Sequence, residues 1–410
     1  MMVQELESLL NALKGHKEMR LNSSLNLISS ENILSNEVRA LLALDFAGRY
    51  TSRDGFYRGS KYLDEIEKIG IEVAKQVFKA EYADLRSLSG HIATLAFISS
   101  QLKAGELIFC VSPSDGGYPG MAKDALPKVL GIKVEYLPFD KEKYAIDVDS
   151  TIELAKKLKP KLIIIDFSLI LRRQPVRELF DKLNGFTKIA YDGSHVLGLI
   201  GGGEFQDPLR EGAIALYGST HKSFFGPQGG IILAEKQVGE EIDALIYPSI
   251  VDNAHWNRIA ALTLALLELK EFGREYAKQV IRNSKALAKS LKELGLPIKG
   301  PEDILTETHQ VYLNFDEPFM NVAFARELER ANIITDSAIR LGTNEVTRLG
   351  MREQEMERIA ELIHSVYRKE NLENIKRSVS RLRSDFDEVQ YRFSDLNLES
   401  LLDLIFKNGS

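Results

Sequence analysis

Apolar positions recur with helical spacing at the start of the chain, and residues 4–15 predict an opening helix. A second helix is predicted over 62–79, with Tyr62, Ile66, Ile69, Val73 and Val77 as its apolar stripe. Short, continuously apolar runs follow. Residues 107–111, 134–138, 162–167, 187–191, 214–217 and 230–234 read as strands, and 152–158 and 176–183 as helices between them. Strands apolar on both faces, alternating with helices, predict an α/β fold around a mainly parallel sheet. A long helix is expected from near Asn257 toward Leu294, interrupted near Phe272-Gly273, before Pro297, Gly300 and Pro301 break the chain. Beyond them, 311–315 reads as a strand and 321–331 as a helix. Met356, Ile359, Ile363 and Val366 stripe a further helix. The expected organisation is a helical segment over 1–50, a large α/β domain over 51–298 and a smaller α+β domain over 299–410.

Composition narrows the class. With 410 residues, 44% apolar and 27% charged, the chain can bury a large core and is not disordered. Its net charge of −6, with basic residues interspersed among acidic ones, gives no footprint for nucleic acid. The single cysteine, Cys110, excludes an intramolecular disulfide, and its apolar run predicts a buried thiol. No run approaches the roughly 18 apolar residues of a membrane span. The N-terminus lacks the basic start and apolar stretch of a secretion signal, so the cytoplasm is expected.

In such sheets ligands bind at the carboxyl ends of the strands. Two motifs fall there. Asp192 ends the run 189–192, and Lys222 follows Ser219-Thr220-His221 and precedes a glycine-rich turn at Gly226, Gly229 and Gly230. A lysine can form a Schiff base with an aldehyde, and an aspartate can keep a ring nitrogen protonated. Pyridoxal phosphate (PLP) chemistry needs both. Taken singly, Lys222 reads as a surface cation and Asp192 as a helix cap; the glycine-rich turn after Lys222 is what points to a site. His195, three residues past Asp192, reaches the same ring or is a core histidine. Ser89-Gly90-His91 precedes an apolar helix, and free N–H groups at such a helix start suit a phosphate or an ordinary cap. Tyr118, in the turn after 107–112, offers a face for stacking. Arg340, in a short predicted strand, could grip a carboxylate with two parallel hydrogen bonds.

In order and spacing these residues resemble the serine hydroxymethyltransferase family of PLP enzymes, from about residue 20 to residue 350. Leu27-Ile28-Ser29-Ser30-Glu31-Asn32, Phe56-Tyr57-Arg58-Gly59, Ser89-Gly90, Gly116-Gly117-Tyr118, Asp192-x-x-His195, Thr220-His221-Lys222 and Arg340-x-Gly342-Thr343 carry the resemblance. It implies the PLP-dependent transferase fold, with a mainly parallel seven-stranded sheet in the large domain. It implies that Lys222 carries the cofactor, Asp192 bonds the pyridine nitrogen and His195 lies against the ring. Ser89, Gly90, Tyr118, Ser168 and Ser219 would contact the cofactor, with His221 beside the lysine. Ser30 and Arg340 would hold an amino acid substrate by its carboxylate. Tyr50 and Tyr57 would come from the partner subunit of a homodimer with shared active sites. The implied reaction moves the hydroxymethyl carbon of serine to a tetrahydropterin co-substrate and leaves glycine. No metal is expected.

Some positions depart from the family pattern. The family's glutamate two residues after the first tyrosine is Ser52, and a serine cannot titrate near neutral pH. Pro227-Gln228-Gly229-Gly230 has lost an arginine, and Tyr118 stands where the family has histidine. The family's glycine pair is replaced by Asp252 and Asn253 in the 249–255 segment. These departures keep two other readings open: a pterin-independent lyase or aldolase acting on β-hydroxy amino acids, and a non-catalytic homologue.

Overall fold

The main sheet follows from the apolar runs. In the computed structural model, which describes residues 2–51, 56–397 and 400–403, seven strands form it among the described residues. They are β1 (Tyr82–Asp84), β2 (Leu107–Cys110), β3 (Lys133–Tyr136), β4 (Leu162–Ile165), β5 (Lys188–Asp192), β6 (Ala215–Ser219) and β7 (Gly230–Ala234). Their order across the sheet is β1-β7-β6-β5-β4-β2-β3. The β3, β2, β4, β5 and β6 pairings are parallel, and β7 runs antiparallel to both β6 and β1. β4 is Leu162-Ile163-Ile164-Ile165, buried at every position, as expected of a strand covered on both faces. The register pairs Ile165 with Tyr191, Asp192 with Tyr217, and Ser219 with Gly230. The carboxyl ends of β4, β5 and β6 thereby lie along one edge of the sheet, with β6 running on two residues past the end of β5.

The chain forms two compact units. The larger comprises Asn32–Lys278 with Tyr391–Ser410, and the smaller Met1–Glu31 with Gln279–Gln390. In the smaller unit, Ile298–Lys299, Gln310–Leu313 and Arg340–Gly342 form an antiparallel sheet, and Leu25–Asn26 pairs in parallel with Ile333–Ile334. Helices Pro318–Arg330, Glu353–Tyr367 and Leu372–Ser384 cover a core that includes Leu25, Leu27, Val311, Leu341, Ile359 and Ile363. The segment after Gln390 belongs to the larger unit. There the Tyr391 ring meets Tyr276, Phe393 meets Phe272, and Arg392 pairs with the buried Glu37 at 2.7 Å.

Two expectations need correction. Helix Lys61–Phe78 buries Leu63, Glu67, Gly70, Val73, Ala74 and Phe78, while Tyr62 and Ile69 are exposed. The stripe read from apolar residues alone is rotated, because small residues at 70 and 74 let that face approach its neighbours most closely. Helix Trp256–Glu293 runs without a break through Gly273. Gly273 is a contact point rather than a stop: a Cβ on Gly202 would lie 2.3 Å from the Gly273 carbonyl oxygen. Among the described residues, no helix is long and apolar enough to cross a membrane.

Candidate active site

Each central strand of the larger unit delivers a side chain to one pocket at its carboxyl end. The lining is Gly90, His91, Tyr118, Phe167, Ser168, Asp192, Ser194, His195, Ser219 and Lys222. Phe167 and Ser168 follow β4, Asp192 closes β5 with Ser194 and His195 just beyond, and Ser219 closes β6 with Lys222 three residues on. The turn after β2 brings in Tyr118, anchored where Gly117 bridges Phe167.

Burial sets the chemistry. Asp192 is 8% exposed, and desolvation raises its carboxyl above the usual carboxylate range. Hydrogen bonds from Ser194, one of them N–H to Oδ1 at 2.9 Å, and the nearby Lys222 act in the opposite direction. A buried acid that faces a pocket and is only partly compensated calls for a cation there. His221 is pushed down to about 4 by burial and then by Lys222, so its ring is neutral at physiological pH. The Tyr118 phenol is raised by burial, then by Asp192 and Asp166.

The anion end of the pocket is built by helix Gly90–Gln101. Ser89 caps it, its hydroxyl accepting the Ile92 N–H at 3.1 Å. A Cβ on Gly90 would lie 2.2 Å from the Ser219 hydroxyl and 2.9 Å from its backbone nitrogen. Only glycine lets these two segments meet, and their meeting leaves helix N–H groups beside a serine hydroxyl, a cradle suited to phosphate. A flat, protonatable ring with an aldehyde and a phosphate fits these residues. Lys222 would hold the aldehyde, Asp192 the ring nitrogen and the Ser89-Gly90/Ser219 end the phosphate.

The pocket therefore gathers Gly90, Tyr118, Ser168, Asp192, His195, Ser219 and Lys222, with Ser89 immediately before it. His221 adjoins Lys222 but does not line the pocket. Tyr50 and Tyr57 do not line it either. They pack on each other with ring centroids 5.1 Å apart and remain 49% and 38% exposed. Ser52 lies outside the described residues. Ser30 and Arg340 belong to the smaller unit, where their segments meet through the Ile28–Leu341 bridge. Asp336 accepts the Arg340 Nε at 2.9 Å and the backbone N–H groups of Ala338 and Arg340, fixing that turn.

Three further residues support the site without having been singled out from the sequence. The Asn32 amide donates to the Lys222 carbonyl at 2.8 Å and also bonds the Tyr276 hydroxyl, holding the backbone beneath the lysine. Asp166 accepts the Val111 N–H at its carboxylate and the Tyr118 N–H at its carbonyl, at 2.9 and 2.7 Å. His91 bonds the Tyr118 hydroxyl. Asn32 and His91 each sit inside a motif already noted. Asp166 carries no signal beyond its place at the end of an apolar run.

Comparison with known proteins accords with this geometry. The family model described as serine hydroxymethyltransferase matches residues 3–363. The chain is 41% identical over 408 residues to a serine hydroxymethyltransferase of Methanocaldococcus jannaschii, covering 94% of this chain and 95% of that protein. It is 40% identical over 412 residues to one from Methanopyrus kandleri, covering 95% and 96%. The crystal structure of an L-threonine transaldolase from Pseudomonas fluorescens superposes with a TM-score of 0.91 at 27% identity, covering 99% of this chain and 98% of that one.

Proposed function

Because the chain belongs to the serine hydroxymethyltransferase family, we propose that it transfers the hydroxymethyl carbon of serine to a tetrahydropterin, leaving glycine, with PLP as cofactor. The observation that carries this reading is the convergence of Lys222, Asp192, His195 and Tyr118 on one pocket of a chain that matches the family over 3–363. When bound, the cofactor supplies an electron-withdrawing ring that takes up the electron pair released as the substrate's Cα–Cβ bond breaks. The protein's residues do the rest. Lys222 holds the cofactor through its Nζ and moves protons at that atom. Asp192 keeps the proton on the ring nitrogen, and the low dielectric around it strengthens that ion pair. His195 and Tyr118 wall the ring, and Ser168 lies on the same pocket wall. Gly90 and Ser219 hold the phosphate end, with Ser89 capping the helix. Ser30 and Arg340 hold the substrate carboxylate, Arg340 oriented by Asp336. The reading includes a cytoplasmic homodimer in which Tyr50 and Tyr57 serve the partner's site, and no role with nucleic acid or membranes.

The test is glycine formation from serine with and without a tetrahydropterin, together with the visible absorbance that lysine-bound PLP gives. Pterin-dependent turnover is expected, with both turnover and absorbance lost in Lys222→Ala. Absorbance that survives Lys222→Ala would sink the assignment of the lysine. The TM-score of 0.91 with a threonine transaldolase, together with Ser52 in the sequence, favours one alternative: cleavage of β-hydroxy amino acids without a pterin. Aldehyde release from threonine that ignores added pterin would decide for it.

A further inference from the structure

We propose that His91 is a positioning residue of this site, holding the Tyr118 ring as a pre-set wall for the cofactor; the inference rests on the PLP reading above. His91 is the second residue of helix Gly90–Gln101 and lines the same pocket as Tyr118, Asp192 and Lys222. Its Nδ1 lies 3.1 Å from the Tyr118 hydroxyl, and the two rings meet edge to face, with centroids 6.1 Å apart and planes at 73°.

Two other contacts fix Tyr118. Its backbone N–H donates to the Asp166 carbonyl at 2.7 Å. Its ring lies over Gly120, where an added Cβ would be 2.5 Å from Cε1, 2.6 Å from Cζ and 2.8 Å from the hydroxyl oxygen. The backbone bond sets where the residue starts, and Gly120 sets how far the ring can settle. Neither stops the ring from swinging out about its side-chain torsions. The hydroxyl is at the far end of that lever, so a hydrogen bond there has the greatest effect on orientation. The phenol, half-buried and raised by desolvation, stays protonated, so it remains a hydrogen-bonding group rather than a charge. His91 itself is exposed on its other side, and so closes the rim of the pocket rather than its floor. A wall held before binding spares the cofactor the cost of ordering it.

The experiment measures the PLP dissociation constant by absorbance for the full-length wild type, His91→Ala, His91→Gln, Tyr118→Phe, Gly120→Ala and the His91→Ala/Tyr118→Phe double variant. Melting of each apoprotein is recorded in parallel. His91→Ala and Tyr118→Phe should each weaken binding about tenfold. The double variant should be no weaker than the weaker single, because both changes remove one interaction. His91→Gln, whose amide can still reach the phenol, should recover most of the loss. Gly120→Ala should weaken binding with both polar groups intact. Apoprotein melting points should stay together, which separates positioning from folding. Losses that multiply in the double variant, or an unchanged constant in His91→Ala, overturn the proposal while leaving the PLP reading standing. If His91→Ala does not fold, Tyr118→Phe and His91→Gln make the same comparison. A wild type that binds no PLP overturns both.

Discussion

At the scale of single residues, Asp192 shows a site residue maintained at the expense of stability. Burial raises its folded-state pKa above the unfolded value, so the folded apoprotein holds the proton more tightly than the unfolded chain does. By linkage, apoprotein stability falls as pH rises from the unfolded value through the folded one, and the penalty is in full force above that window. Asp192→Asn cannot ionise. Its apoprotein should melt higher than wild type at pH 8, with the gap narrowing toward pH 4, as calorimetry at several pH values would show. The same variant should lose at least about a hundredfold in turnover, because an amide cannot hold a ring proton as a carboxylate does. A variant that melts with the wild type at every pH would contradict the account of its burial. Lys222, Asp192 and His195 were legible in the sequence because their chemistry is unusual beside apolar strands. His91 and Asp166 were not, since their roles lie in what they touch.

At the scale of elements, residue volume decides what apolarity alone cannot. Strands β4 to β7 were readable because four or five consecutive buried positions leave few alternatives. Which face of helix Lys61–Phe78 turns inward was not readable, since Gly70 and Ala74 pack closer than Tyr62 or Ile69 could. The same rule governs the crossing of Gly202 and Gly273. A Cβ on Gly202 meets the Gly273 carbonyl at 2.3 Å, which is backbone and cannot yield. A Cβ on Gly273 meets first the Leu269 Cδ1 at 2.8 Å, the end of a flexible side chain, and the Gly202 Cα only at 3.5 Å. Gly202→Ala should therefore cost about 2 kcal/mol. Gly273→Ala should stay within about 1 kcal/mol of wild type, since helix propensity offsets the contact. Chemical denaturation of the two variants checks the order, and equal losses would refute it.

At the scale of the whole molecule, Tyr50 and Tyr57 are informative because they do not line the Lys222 pocket and lie exposed as a mutually packed, tilted pair. Side chains of that kind on a monomer's surface suit a role in a second copy's site. On the proposed dimer, Lys222→Ala and Tyr57→Phe remove different halves of a shared site. Mixing the two inactive variants after mild dissociation should restore roughly a quarter of wild-type turnover, since half of the dimers are then mixed and each has one intact site. No recovery in a mixture shown to exchange subunits would place the tyrosine in its own chain's chemistry.

The sequence by itself determined the fold class and most strands of the main sheet, and it singled out Lys222 and Asp192 as the candidate lysine and acid. Those depend on local patterning and on residue types that few other roles require. Tertiary structure alone decided that β4, β5 and β6 lie side by side with their carboxyl ends along one edge of the sheet, so that residues 54 positions apart in sequence, Ser168 and Lys222, line one pocket. It also decided that Leu25–Asn26 pairs with Ile333–Ile334, more than 300 residues away in sequence. It set the Tyr118 ring between Gly120 and His91. Periodicity records which positions are buried, but not against what. Register, close approach and hydrogen-bond partners arise only when distant segments compete for the same space.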